Sequence, residues 1–413
     1  MARFNPTRFP PGFFDLPSDA GQSLPLDVIA AWTRSNQSRE AARELLAPCT
    51  LRGIVVATDC AGLTRLSAER SLIEILALVS RPKELIHAYG RAIGGQPLGL
   101  WAADNTLMFY PEGVSPDHVV SLLLALLDRV REECEVGVGV CVHAGEFYEL
   151  GNGLYGPDAD RVEAVAEDQT EAGELLVTDV VAHRLGETAS FTLEPRDDLR
   201  ERFGEVLRVT AGPRLGGVEA SDFHYPLPFT DEFFTGLHEF QRTRRTSVVP
   251  RPAYREGAIV VIEQEREDRD VPELAALNDL ALAAGLKRLA NALLGEHRGS
   301  EVKTTTRLGI YQFPEARRAL EFARAVREAL AAQGVQVRVG IDVGRVLVFE
   351  LGPGLRDVAG SPVNVASKLA QDVGRFGVIH LTAQAARLAG LADVTAARTL
   401  RLGGLSLEVV AVE

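Results

Sequence analysis

Apolar and polar positions along this chain follow two rhythms, a twofold one and a roughly 3.6-fold one, that succeed each other in a fixed order. A Pro- and Phe-rich lead is followed by a helical pattern over Leu26–Leu46. L-R-G-I-V-V-A-T-D-C (51–60) then reads as a strand, and Ser67 to about Gly90 as a helix that Pro82 should kink or divide. Gln96–Tyr110 alternates like a strand pair turning near Asp104-Asn105, and Pro116–Glu133 is amphipathic at helical spacing. Val136–His143 reads as a buried strand and Phe147–Leu154 as the continuation of a hairpin. Asp160–Asp168 reads as a helix and Gly173–Thr178 as a further strand.

The pattern then recurs. Tyr148–Gly151 (Y-E-L-G) answers Phe349–Gly352 (F-E-L-G); Gly156, Gly173 and Thr178 answer Gly360, Gly377 and Thr382 at an offset of 204 residues. V-C-V-H-A-G-E answers V-G-I-D-V-G-R, with Gly145 facing Gly344 at an offset of 199. The organisation expected is therefore an N-terminal extension (1–49), a first α/β unit (50–215), a linker (216–254) and a second unit (255–413). Strand–helix–strand–strand–helix–strand order suggests a ferredoxin-like α+β sheet with helices on one face. Two copies in one chain would pack as an internal pseudo-dimer around a cleft, so that a monomer suffices.

Composition narrows the function. An apolar fraction of 46% and a charged fraction of 24% are those of a folded protein, and a net charge of −13 disfavours nucleic acid and anionic membranes as partners. No apolar run approaches the ~20 residues that span a bilayer. The N-terminus has no apolar segment of signal-peptide type, and Cys49, Cys60, Cys134 and Cys141 form no C-x-x-C pair. Reduced thiols in the cytoplasm are expected. The linker run Gln241–Pro252 reads as solvated, the linker aromatics Phe223, Tyr225, Phe229, Phe233 and Phe234 as packing across the repeats, and His143 as a packed strand residue.

The most informative stretch is L-R-D-V-A-G-S-P-V-N-V-A-S-K-L-A (355–370). It turns at Gly360-Ser361-Pro362 and enters a helix, with Ser361 the expected N-cap and Pro362 the first helical residue. Asn364 and Lys368 lie four apart, on one face near the helix N-terminus, where anions are favoured.

These residues resemble the class III nucleotide cyclases. Val55–Ser67 looks like that family's opening strand, with Asp59 at the first metal-aspartate position, and Trp101–Phe109 resembles its hairpin, with Asp104 at the second. Asp357–Leu369 is very similar to the nucleotide-reading segment of the second half of tandem adenylyl cyclases. Val302–Phe313 resembles that half's hairpin with Lys303 at the base-reading lysine, and Val337–Arg345 the strand between them. The resemblance implies two Mg²⁺ or Mn²⁺ ions on Asp59 and Asp104, ATP as substrate, and cyclic AMP plus pyrophosphate as products. Lys303 and Asp357 supply the donor and acceptor that match adenine, a pairing guanine reverses. Asn364 would orient the ribose and Lys368 would oppose charge growing on the phosphate.

Departures from the family are equally specific. Leu100, Asp160 and Ala164 occupy the first repeat's base-reading, Asn and Arg positions, and Gln264 and Arg307 the second repeat's metal positions. Each repeat thus retains what the other has lost. Lys368 replaces an Arg, Gly139 a phosphate-binding Arg, and Ala103 a Gly. These changes open a second reading, a pseudo-cyclase that binds nucleotide or an unidentified regulatory protein without turnover. No phosphate-binding P-loop, Cys/His metal spacing or Ser/His/Asp grouping stands out.

Overall fold

The computed structural model describes residues 4–16, 24–62, 66, 70–99, 101, 105–151, 153–185, 191–218, 225–226, 230–245, 253–265, 271–306, 308–352, 355–391, 397–402 and 405–413. The chain forms two compact units, one comprising Met1–Pro48, Ser67–Leu72 and Arg251–Glu413, the other Cys49–Leu66 and Ile73–Pro250.

Two short helices, α1 (Leu26–Arg34) and α2 (Arg39–Leu46), stand where one was expected. Gln37 takes a left-handed backbone (φ 51) and Ser38 restarts the helix by accepting from the Ala41 N–H.

The unit that begins at Cys49 builds strands β1 (Thr50–Cys60), β2 (Gln96–Leu98), β3 (Thr106–Pro111), β4 (Val138–Leu150), β5 (Gly153–Tyr155), β6 (Leu175–Thr178), β7 (Thr192–Pro195) and β8 (Val206–Ala211). Their order is β2-β3-β1-β4-β6-β8-β7, with β5 on β4. The β4–β6 pair is parallel and the rest antiparallel.

Helices lie on both faces of this sheet rather than on one. Ile54 and Val56 share a core with α3 (Leu72–Ala92) and α4 (Pro116–Glu133), while Val55 and Ala57 share another with α5 (Pro157–Gln169). A strand covered on both faces is apolar without a break, which is why β1 reads I-V-V-A. Pro82 sits inside an uninterrupted α3. A further helix, α6 (Asp231–Thr243), follows from the linker, and Tyr225 and Phe234 take their places in the core of this unit, with Phe233 also buried. Phe223 and Phe229 lie outside the described residues. The four cysteines are free thiols, and burial pushes those of Cys134 and Cys141 up to about 11 and about 12.

The second unit repeats the plan with β9 (Ala253–Gln264), β10 (Ser300–Thr304), β11 (Leu308–Phe313), β12 (Val337–Gly352), β13 (Leu355–Ala359), β14 (Ile379–Thr382), β15 (Arg398–Leu402) and β16 (Leu405–Val412). The order β10-β11-β9-β12-β14-β16-β15, with β13 on β12, is that of the first sheet. Helices α7 (Pro272–Leu294), α8 (Ala316–Ala331) and α9 (Ser361–Gln371) complete it. Phe322 of α8 packs on Tyr311 and Phe313 of one sheet face, and α9 covers the other through Val363, Ala366 and Ala370. The N-terminal segment docks on α7: Trp32 donates from Nε1 to Asn278 Oδ1 at 2.9 Å, and Arg39 and Arg43 each reach Glu273 at 3.2 Å. Among the described residues no helix is long and apolar enough to cross a membrane.

Candidate nucleotide-binding and metal-binding residues

The backbone of α9 starts one residue earlier than expected. Gly360, at φ 142, is the N-cap, and Ser361 is the first helical residue with no side-chain cap bond. The helix sits close to the sheet because β12 offers no side chain there. A Cβ at Gly340 would meet the Ala366 carbonyl oxygen at 2.0 Å and the Ala370 nitrogen at 2.8 Å. Asn364 is exposed and Lys368 half-buried on this helix, and Lys368 Nζ lies 3.6 Å from Asp372 Oδ2.

Lys303 and Asp357 are brought together from β10 and β13. Lys303 Nζ lies 2.8 Å from Asp357 Oδ1 and 3.0 Å from Oδ2, and the Val358 N–H also donates to Oδ1 at 2.8 Å. The carboxylate is buried (6% exposed) and the ammonium part-exposed. A donor and an acceptor thus stand side by side at the edge of one unit, the pairing that adenine's N1 and N6 complement.

Asp59 lies half-buried near the end of β1, opposite Gly139 of β4. Asp104, Ala103, Leu100 and Arg307 lie outside the described residues. Among the described residues no group of three or more His, Cys, Asp or Glu side chains gathers as a metal cluster. Carboxylate oxygen is nonetheless the donor that Mg²⁺ and Mn²⁺ take, so Asp59 with Asp104 would suit these ions chemically.

The sheet registers correct two correspondences drawn from the sequence. In the first unit Gly53 faces Gly145 and Asp59 faces Gly139; in the second, Gly257 faces Gly344 and Glu263 faces Arg338. The second-unit counterpart of Asp59 is therefore Glu263, and Gln264 is the counterpart of Cys60. Gln264 is buried and ties two backbone segments, donating from Nε2 to Asp279 O at 2.9 Å and to Thr306 O at 3.1 Å. The counterpart of Lys303 is Leu98, not Leu100: Lys303 faces Ile310 and Leu98 faces Leu107 at the matching place. Leu98 belongs to the apolar core.

The second unit consequently carries an acid at the register position of Asp59, and it is paired with an arginine. Glu263 Oε2 lies 2.8 Å from Arg338 Nε and 2.7 Å from the second guanidinium nitrogen, while the guanidinium also stands over the Phe376 ring. In the first unit the residue opposite Asp59 is Gly139, where a Cβ would meet Thr170 Oγ1 at 2.0 Å.

His143 is a packed strand residue, as expected. It is 1% exposed, with Nδ1 2.8 Å from Thr178 Oγ1 and Nε2 3.1 Å from Asp158 Oδ1.

No family sequence model matches the chain, and no curated protein matches it by sequence. Among solved structures, a class III adenylyl cyclase-like ATP-binding protein from Pseudomonas aeruginosa matches 82% of this chain and 84% of its own, with a TM-score of 0.52 and 12% identity. The guanylate cyclase domain of RhGC from Catenaria anguillulae, solved with GTP, matches 40% of this chain and 98% of its own (TM-score 0.35, 17% identity). The adenylyl cyclase CyaB from P. aeruginosa matches 38% and 93% (TM-score 0.30, 16% identity). The first of these likenesses spans most of the chain, and it shows that the protein has the class III cyclase-like fold.

Proposed function

We propose that this protein binds ATP and converts it to 3′,5′-cyclic AMP and pyrophosphate, slowly, with Lys303 and Asp357 reading the base, Asn364 and Lys368 serving the ribose and phosphates, and Asp59 and Asp104 as the metal-binding carboxylates. The observation that carries the reading is the Lys303–Asp357 pair, a buried acceptor held beside a donor with its polarity set for adenine. The fold supports it, as does the structural relative whose own description is ATP-binding.

In this reading the ribose 3′-oxygen attacks the α-phosphorus. The new P–O bond forms as the bond to the β-phosphate breaks, the hydroxyl proton passes to solvent, and pyrophosphate leaves. Asp59 and Asp104 would hold the divalent ions, whose chemistry is to lower the pKa of the attacking hydroxyl and to offset triphosphate charge. Asn364, exposed near the start of α9, positions the ribose. Lys368, one turn further on, opposes negative charge on the phosphoryl oxygens. An ammonium offers a point charge where a guanidinium offers a planar fork, so the expected rate is one to three decades below that of an Arg-bearing site, on the order of 10–1,000-fold.

Two observations favour a second reading, in which nucleotide binds without turnover and regulates a protein partner. Gly139 has no room for a phosphate-binding side chain, and Lys368 stands near Asp372. A purified-protein assay with ATP and Mg²⁺ or Mn²⁺ separates the two. Cyclic AMP that disappears in Asp59→Ala supports the enzyme. ATP binding by calorimetry with no product supports the regulator. GTP bound as tightly as ATP, with Lys303→Ala without effect, removes both.

A further inference from the structure

The long helices α3 and α7 carry a buried lysine at the same place. Lys83 is 1% exposed and Lys287 7%, and the strands that follow begin at the same distance from each, Gln96 and Ser300. A lysine costs more to bury than the leucine or methionine that would fill the same space, so its retention in both units calls for a specific partner. In each unit that partner lies in the segment that follows the helix. Lys83 donates from Nζ to the Trp101 carbonyl at 2.9 Å, three residues before Asp104. Lys287 pairs with Glu301, two residues before Lys303.

The second unit shows what such a tether accomplishes. The β10–β11 register shifts between Glu301 and Lys303, so that Val302 is an extra residue, a β-bulge that β2 lacks. In a regular strand Glu301 and Lys303 would share a face. Here Glu301 points to Lys287 and accepts from Thr304 Oγ1 at 2.8 Å, while Val302 joins the core beneath α9 and Lys303 reaches Asp357. The contacts of Glu301 with Lys287 and Thr304 straddle the bulge and fix its two ends on one side.

We propose that Lys287, with Glu301 and Thr304, is a positioning set that holds the β10 bulge and thereby aims Lys303 at Asp357. The assignment rests on the ATP-binding reading for its consequence and on geometry alone for its cause, which the tests separate. In Lys287→Met, and in Glu301→Gln should the methionine variant fold poorly, a crystal structure or lysine-amine NMR is expected to show the Lys303–Asp357 pair opened beyond hydrogen-bonding distance. Calorimetry is expected to show ATP affinity reduced about tenfold and its advantage over GTP narrowed, with inorganic tripolyphosphate affinity unchanged. Lys287→Arg, which keeps a cation for Glu301, should restore the preference, and in a Lys303→Ala background Lys287→Met should add nothing. Retention of the Lys303–Asp357 pair in both variants, or equal losses for ATP and tripolyphosphate, overturns the proposal. A wild-type protein with no ATP preference, but a pair that still opens in Lys287→Met, refutes the ATP reading and leaves the positioning role standing.

Discussion

Asp342 occupies in the second unit the place that His143 holds in the first, and it offers a quantitative test of how polar groups are managed beneath these sheets. Only 8% of it is exposed. Burial raises its carboxyl from the ordinary 3.8 to about 6, against the opposing effects of a Thr382 hydroxyl donating at 2.6 Å and the Val343 N–H. The fold therefore prefers the neutral acid. A raised folded pKa means that the preference is fully expressed below pH 3.8 and is lost as pH climbs through about 6. At pH 8, where folded and unfolded chains are both ionised, the carboxylate burdens the fold by about 3 kcal/mol.

Asp342→Asn removes the charge and keeps an oxygen to accept from Thr382. The variant is expected to be more stable than wild type by about 2 kcal/mol at pH 8, raising the melting midpoint by roughly 4–8 °C. The advantage should shrink steadily below pH 6 and vanish near pH 4. Urea titrations of both proteins across pH 4–8 measure it directly. A variant that is less stable at pH 8, or an advantage that does not change with pH, refutes the argument, because either result means that Asp342 does not bear an uncompensated charge.

Two further substitutions test the geometry around the candidate site. Arg338→Ala removes the arginine paired with the largely buried Glu263 and should cost about 3 kcal/mol, with part recovered in the double variant Arg338→Ala/Glu263→Ala; urea midpoints check the coupling. Gly340→Ala places a methyl against the backbone of α9 and should cost about 1–3 kcal/mol and weaken ATP binding. The control Gly113→Ala, whose Cβ meets nothing within 4 Å, should change stability by less than about 0.5 kcal/mol.

The repeat was legible because glycines mark it. Gly145 and Gly344 face Gly53 and Gly257 across their sheets, and Gly156 and Gly360 cap the equivalent helices α5 and α9, so each recurs where a side chain or an ordinary φ would not fit. Lys303 and Asp357 were legible together only through the cyclase resemblance; that they pair directly was not, because β10 and β13 are not hydrogen-bonded neighbours in the sheet. What the linear text concealed was register. A slip of one residue in a strand moves every side chain to the other face, and no property of Glu263 or Gln264 taken singly tells which lies opposite β12 at the metal position. The bulge at Val302 was hidden in the same way, since an extra residue in β10 looks like any other valine until the partner strand is counted against it. The consequence reaches the function. Counted by register, both units carry an acid at the end of the opening strand, and the asymmetry between them rests on the neighbour in the next strand. Arg338 pairs with Glu263, whereas Asp59 faces Gly139, and a Cβ added at that glycine would meet Thr170 Oγ1 at 2.0 Å. Two strands that read alike as apolar runs ending in an acid thus differ in what the next strand sets opposite that acid, and only the pairing of the strands brings the difference out.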